Sequence, residues 1–113
     1  MPISLAAKDA MLRSSFAGQL WLGLTTMSGR EETDDHYQRQ PVTLDADGVT
    51  DTLLSVEELR FPPYANASVV RGWVLYGPSG QELGRDMLES PKRMAPGERL
   101  MFEPRMIIVR LED

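Results

Sequence analysis

Residues 69–76 read Val69, Val70, Arg71, Gly72, Trp73, Val74, Leu75, Tyr76. Every position except Arg71 and Gly72 is β-branched, aromatic or leucine, which is the composition of an extended segment rather than a helix. Alternation places Val69, Trp73 and Leu75 on one face with Arg71, and Val70, Gly72, Val74 and Tyr76 on the other. Apolar groups on both faces predict a central strand. Gly77, Pro78, Ser79 and Gly80 follow as a turn, and residues 82–88 are expected to return as the hairpin partner with Leu83 inside.

Working outward, the same alternation recurs. Residues 19–26 read as a strand with Leu20, Leu22 and Leu24 on one side and Trp21, Gly23 and Thr25 on the other. Residues 37–44 return to strand character, with Pro41 confined to an edge or a bulge because it has no N–H to give to a ladder. Asp45, Ala46, Asp47 and Gly48 carry a turn signal, and residues 49–56 form a further strand with Val49, Leu53, Leu54 and Val56 as its apolar positions. Leu59 and Phe61 alternate before Pro62 and Pro63 stop them, as do Leu100 and Phe102 before Pro104. The last strand, residues 105–111, points Ile107, Val109 and Leu111 inward and Met106, Ile108 and Arg110 outward. At the other end, Ser4 caps an expected short helix over residues 5–16, where Leu5, Leu12 and Phe16 recur at near-helical spacing and Gly18 ends the run.

Two stretches are too polar for a core. Residues 27–38 carry Gly29, Glu31, Glu32, Asp34 and Asp35 and read as a long surface loop. Residues 91–97 read as a second loop, bearing Lys92 and Arg93 in an otherwise acidic chain. About seven or eight short strands at this spacing predict a mainly β domain, a small antiparallel β-sandwich or jelly-roll with one short N-terminal helix. At 113 residues, one such domain spans residues 1–113, since too little chain remains for a second core.

The bulk composition narrows the function. Hydrophobic residues at 42% and charged residues at 26% are ordinary globular usage, so the chain is expected to fold. A net charge of −5 and a pI near 4.8 leave no basic stripe to displace counterions from phosphates, so nucleic acid is not expected as a partner. Cysteine is absent, which removes disulfides and thiolate nucleophiles and fits assembly in a reducing cytoplasm. No stretch approaches the roughly 18 apolar residues of a membrane helix, and Lys8 and Asp9 interrupt the apolar run a signal peptide would need. No membrane association is expected.

The residues do not assemble into a catalytic pattern. His36 is the single histidine, and with Asp34 and Asp35 it could be drawn as a metal site. Neighbouring side chains in an irregular loop seldom converge on one ion, and a solvated acidic loop accounts for the same composition. No G-x-S-x-G elbow is present, and the adjacent pairs Glu31 with Glu32 and Glu57 with Glu58 would diverge on a strand or stand in water on a loop. The glycines around Pro78 lack the Lys-Ser or Lys-Thr of a phosphate cradle. Trp21 and Trp73 read first as core, and the methionines as core filler. The chain is therefore read as a non-enzyme without cofactor or metal, acting through its surface, with His36, Tyr37, Arg39, Lys92 and Arg93 as candidate protein-contact residues on or next to the two polar loops.

The order of segments resembles a family of small tailed-bacteriophage virion proteins described as tail fibre proteins. A family strand of the type Tyr-Leu-Ala-Leu-His-Thr is similar to Trp21, Leu22, Gly23, Leu24, Thr25 and Thr26, with Thr25 where the family has histidine. An Arg-Gln-Pro-Val element matches Arg39, Gln40, Pro41 and Val42, and a Phe-Pro element matches Phe61 and Pro62. The Trp-Gly-Leu-Tyr type strand is similar to residues 72–76, with the order inverted at Gly72 and Trp73, and a Ser-Gly turn follows at Ser79 and Gly80. The C-terminal pattern appears as Leu88, Pro91, Gly97, Glu98, Phe102 and residues 107–111.

The resemblance implies a non-enzymatic virion structural protein of tail, neck or fibre, made in the bacterial host cytoplasm and carried in the virion. It implies a homo-oligomer docking on other virion proteins of capsid, neck or tail. A capsid decoration protein is the close alternative, because the repetitive shaft sequence of a long fibre is missing. A carbohydrate-binding β-sandwich is a further one, with Trp21, Tyr37, Tyr64 or Trp73 as an exposed stacking platform.

Overall fold

The computed structural model describes residues 2–3, 19–46 and 52–111, with backbone alone at Pro2, Ile3, Ala46, Thr52, Arg110 and Leu111. The expected helix over residues 5–16 lies outside the described residues. Within them the chain is mainly β and contains no helix. Ten strands run in order: β1 (Pro2–Ile3), β2 (Leu20–Thr26), β3 (Gln40–Val42), β4 (Leu44–Ala46), β5 (Thr52–Ser55), β6 (Leu59–Arg60), β7 (Ser68–Tyr76), β8 (Glu82–Met94), β9 (Met101–Phe102) and β10 (Ile108–Leu111).

The 69–76 stretch forms most of β7, and β7 is an interior strand of a four-stranded sheet ordered β3-β2-β7-β8. A second four-stranded sheet is ordered β1-β10-β5-β4, and β6 pairs with β9 as a two-stranded ribbon. All pairings are antiparallel except β1 with β10. Pro41 sits on β3 at a sheet edge, opposite Trp21, where its missing N–H costs no ladder bond.

One buried cluster draws on both sheets and the ribbon. It takes Leu20, Leu22 and Leu24 from β2, Val70, Trp73 and Leu75 from β7, and Leu53 with Val109 from the second sheet. Phe61 is the largest fully buried side chain in it, with its ring edge-on to Phe102 at 6.2 Å. The inward set Ile107 and Val109 and the outward set Met106 and Ile108 appear as the alternation required. Each such side chain removed from water contributes about 1.5–3 kcal/mol before entropy is charged against it.

Four local readings are corrected. The faces of β7 do not alternate from end to end: Val70 joins the core with Trp73 and Leu75, because a bulge at Arg71 shifts the register against both neighbours. The hairpin partner does not stop at Leu88. β8 continues to Met94, so Pro91, Lys92 and Arg93, expected in a loop, belong to a strand, with Lys92 opposite Val70 and Arg93 opposite Val69. An outer strand tolerates Pro91 because its free side needs no partner. Asp45 and Ala46 are not in a turn but in β4, opposite Leu54 and Leu53. The single strand expected over residues 37–44 is divided, since Thr43 steps the chain from one sheet to the other.

Candidate functional site

Residues 27–39 leave the end of β2 and fold back along its outer side. The reversal is tight: the Gly29 N–H donates to the Thr26 carbonyl at 2.9 Å, and the Thr26 N–H donates to the Arg30 carbonyl at 2.9 Å. Gly29 holds a φ of 81°, a left-handed conformation that glycine enters without cost to a side chain. The Glu32 N–H then donates to the Leu24 carbonyl at 2.8 Å, prolonging the ladder on the side of β2 that β3 covers further along.

Charged side chains brace this loop. Arg39 grips Glu31 with two parallel bonds, Nε to Oε2 at 2.7 Å and Nη2 to Oε1 at 2.8 Å. The Tyr37 hydroxyl donates to Glu31 Oε2 at 2.6 Å and accepts the Leu24 N–H at 3.1 Å. The Arg39 guanidinium lies 3.5 Å above the Tyr76 ring, and the Tyr37 ring stacks on Phe61 with centroids 6.3 Å apart. Burial pushes the Glu31 carboxyl up, but the bonds from Arg39 and Tyr37 and the Arg39 charge outweigh it and hold the group below the usual glutamate range. Burial first, and then the Glu31 carboxylate, push the Tyr37 phenol far up, so it stays a neutral donor. Gly23 makes the cluster possible, because a Cβ there would meet the Tyr37 hydroxyl at 2.6 Å and Glu31 Oε2 at 2.9 Å.

The tip of the loop is tied to residues 63–68. Asp34 accepts N–H bonds from Ala65 and Asn66, both at 2.9 Å, and from His36 at 3.1 Å. The Ala65 bond is the largest influence holding its carboxyl below the ordinary aspartate range. Glu32, buried at 6% exposure, accepts the Ser68 hydroxyl at 2.6 Å and the Thr33 N–H at 3.0 Å. His36 Nδ1 lies 3.3 Å from the Pro63 carbonyl. The segment expected to be a loop is one, but it is a braced loop whose Glu31, Glu32 and Asp34 carboxylates are engaged within the fold, while Asp35 is exposed.

The candidate contact residues fall into two groups. His36, Tyr37 and Arg39 lie together beside β2 and β3, where Tyr37 and Arg39 are committed to Glu31 and His36 is exposed. Lys92 and Arg93 are exposed on β8, at the opposite edge of the same sheet. The structure does not bring the two groups together. Among the described residues no three His, Asp or Glu side chains converge as a metal site would require.

A feature the sequence reading missed lies beside Lys92. Gly72 pairs with Met87 and Val70 with Lys92, so β8 carries three more residues than a regular ladder would between these points. Beside this irregularity lies a groove of about 500 Å³, lined by buried Trp73 and Phe102 and by Met87, Leu88, Met106 and Ile108. Met87, Met106 and Ile108 are 63%, 54% and 41% exposed, which is unusual for large apolar side chains gathered at one place. The outward direction of Met106 and Ile108 was legible from alternation, but the register shift on β8 and the placing of Met87 and Leu88 beside them were not.

Comparison with models of known protein families and with curated proteins finds no match.

Proposed function

We propose that this chain is a non-enzymatic structural component of a tailed-bacteriophage virion, of tail, neck or fibre, that oligomerises and docks on other virion proteins. The observation that carries the contact role is the groove beside β8, where exposed Met87, Met106 and Ile108 gather on one margin of the molecule. The braced loop over residues 27–39 supports the same reading, since a contact surface held rigid in advance spends little ordering entropy on binding. The assignment to a virion comes from the ordered sequence resemblance alone. In this reading the two four-stranded sheets, which share one apolar cluster, are the layers of a β-sandwich.

His36, Lys92 and Arg93 present exposed side chains to a docking partner, whereas Tyr37 and Arg39 act by fixing the shape of the loop that carries His36. The carbohydrate alternative is disfavoured by the placement of its stacking candidates: Trp73 and Tyr64 are buried and Trp21 and Tyr37 half-buried. Cryo-electron microscopy of the phage particle encoded with this chain tests the proposal. Density for the chain at tail or neck is the expected result, density over the capsid surface would select the decoration role instead, and absence from the particle would overturn both.

A further inference from the structure

Two independent observations meet at Arg105. Its φ of 71° lies in the left-handed region that glycine favours and other side chains enter at a cost. The surroundings enforce it: the Arg105 N–H donates to the carbonyl of buried Ser55 at 2.8 Å, while Ser55 is tied to Ile107 by its own N–H at 3.0 Å and by its hydroxyl, which accepts the Ile107 N–H at 3.2 Å. Beside the same residue lies a cavity of about 200 Å³, lined by Leu54, Ser55, Val56 and Pro104 together with Asp45 and Arg105. Strained backbone that a fold maintains gathers at places that hold a ligand.

The lining sets the chemistry of what fits. Leu54 and Val56 alternate with buried Leu53 and Ser55, so they stand on the side turned from the core, and Pro104 completes an apolar lining. Asp45, opposite Leu54, is already engaged elsewhere. The Arg105 guanidinium has no carboxylate partner among the described residues, so it is the charge left for a ligand. The volume lies below the roughly 300–1,000 Å³ of sites that enclose a drug-sized molecule, so the apolar group and the negative charge must belong to one residue-sized unit. We propose that this cavity takes an aliphatic residue bearing a free carboxylate, as at the C-terminus of a peptide, with its side chain against Leu54, Val56 and Pro104 and its carboxylate on Arg105.

Amide NMR of the full chain, titrated with N-acetyl-leucine, is the test. Saturable shifts confined to residues 54–56 and 105–107 are expected, with a dissociation constant of roughly millimolar order for so small a probe. N-acetyl-leucinamide, which keeps the side chain and lacks the charge, should bind about fivefold more weakly or worse. Arg105→Gln keeps the backbone strain and removes the charge, so it should weaken the acid by about the same factor at an unchanged thermal midpoint, whereas Arg105→Lys should retain most of the binding. Arg105→Gly should lose binding while its thermal midpoint rises, an opposition that a merely structural arginine would not produce. Absence of saturable shifts, equal binding of acid and amide, or indifference to Arg105→Gln would overturn the proposal. Presence or absence of the chain in a phage particle does not alter this outcome, since the probe reads the cavity by itself.

Discussion

Gly72 stands where β8 passes close to β7. A Cβ at this position would run into the Asp86 carbonyl oxygen and approach the Met87 Cα to 2.9 Å, and both obstacles are backbone rather than pliable side chain. Gly72→Ala is therefore expected to lower the unfolding free energy by about 1–3 kcal/mol, measured as a reduced urea midpoint at unchanged slope. Arg105 presents the reverse case. It follows Pro104 in a turn closed by the Met106 N–H on the Glu103 carbonyl at 3.2 Å, and its φ of 71° is the left-handed value that glycine favours at this place in a type II turn. Arg105→Gly should relieve roughly 1–2 kcal/mol of backbone strain against roughly 0.5–1 kcal/mol of extra chain entropy, a net gain of about 0.5–1 kcal/mol seen as a higher thermal midpoint. Nothing in the residue types announces either position: Gly72 looked like a gap in an apolar strand, and Arg105 like the first residue of the last strand.

At the scale of elements, what could be read from sequence was what depends on alternation alone. β2 and the inward and outward sets around β10 follow from period-two patterning, because one side of each meets a core that punishes a slip of register. The course of β8 did not follow, since an outer strand with polar residues and a proline has the same composition as a loop, and only the partner β7 makes it a strand. The polar segment over residues 27–38 was legible as a loop, but its order was not. That order comes from Glu31, Asp34 and Glu32 reaching groups up to 36 residues away in sequence, and no local pattern encodes such contacts. Glu31→Gln tests the brace. Losing the charge opposite Arg39 and weakening the bond from Tyr37 should cost about 1–2 kcal/mol at neutral pH. The pH dependence has a definite sign. Because the folded carboxyl titrates below its unfolded value, its contribution is complete above the ordinary glutamate range and is lost as pH falls through the lower folded value. The variant should therefore show a shallower loss of stability on acidification than the parent, read from urea midpoints across the acid range.

For the molecule as a whole, one shared cluster has a thermodynamic consequence. Both sheets and the ribbon contribute to the same buried set, so no part of the described fold keeps a private core to survive on. Heat unfolding should be a single transition, with the far-ultraviolet dichroism and the tryptophan emission, dominated in its change by buried Trp73, giving the same midpoint. Two separated midpoints would show that the ribbon or one sheet melts by itself.

Thr43 alone links the β3 margin of one sheet to the β4 margin of the other. Two covers bound at such a spine can swing but cannot slide far apart there, and any small swing is magnified at the fore-edge. In the sandwich proposed above, that fore-edge is the β8 side, so a breathing of the layers would change the width where the methionines stand, and a partner seated there would clasp the book shut.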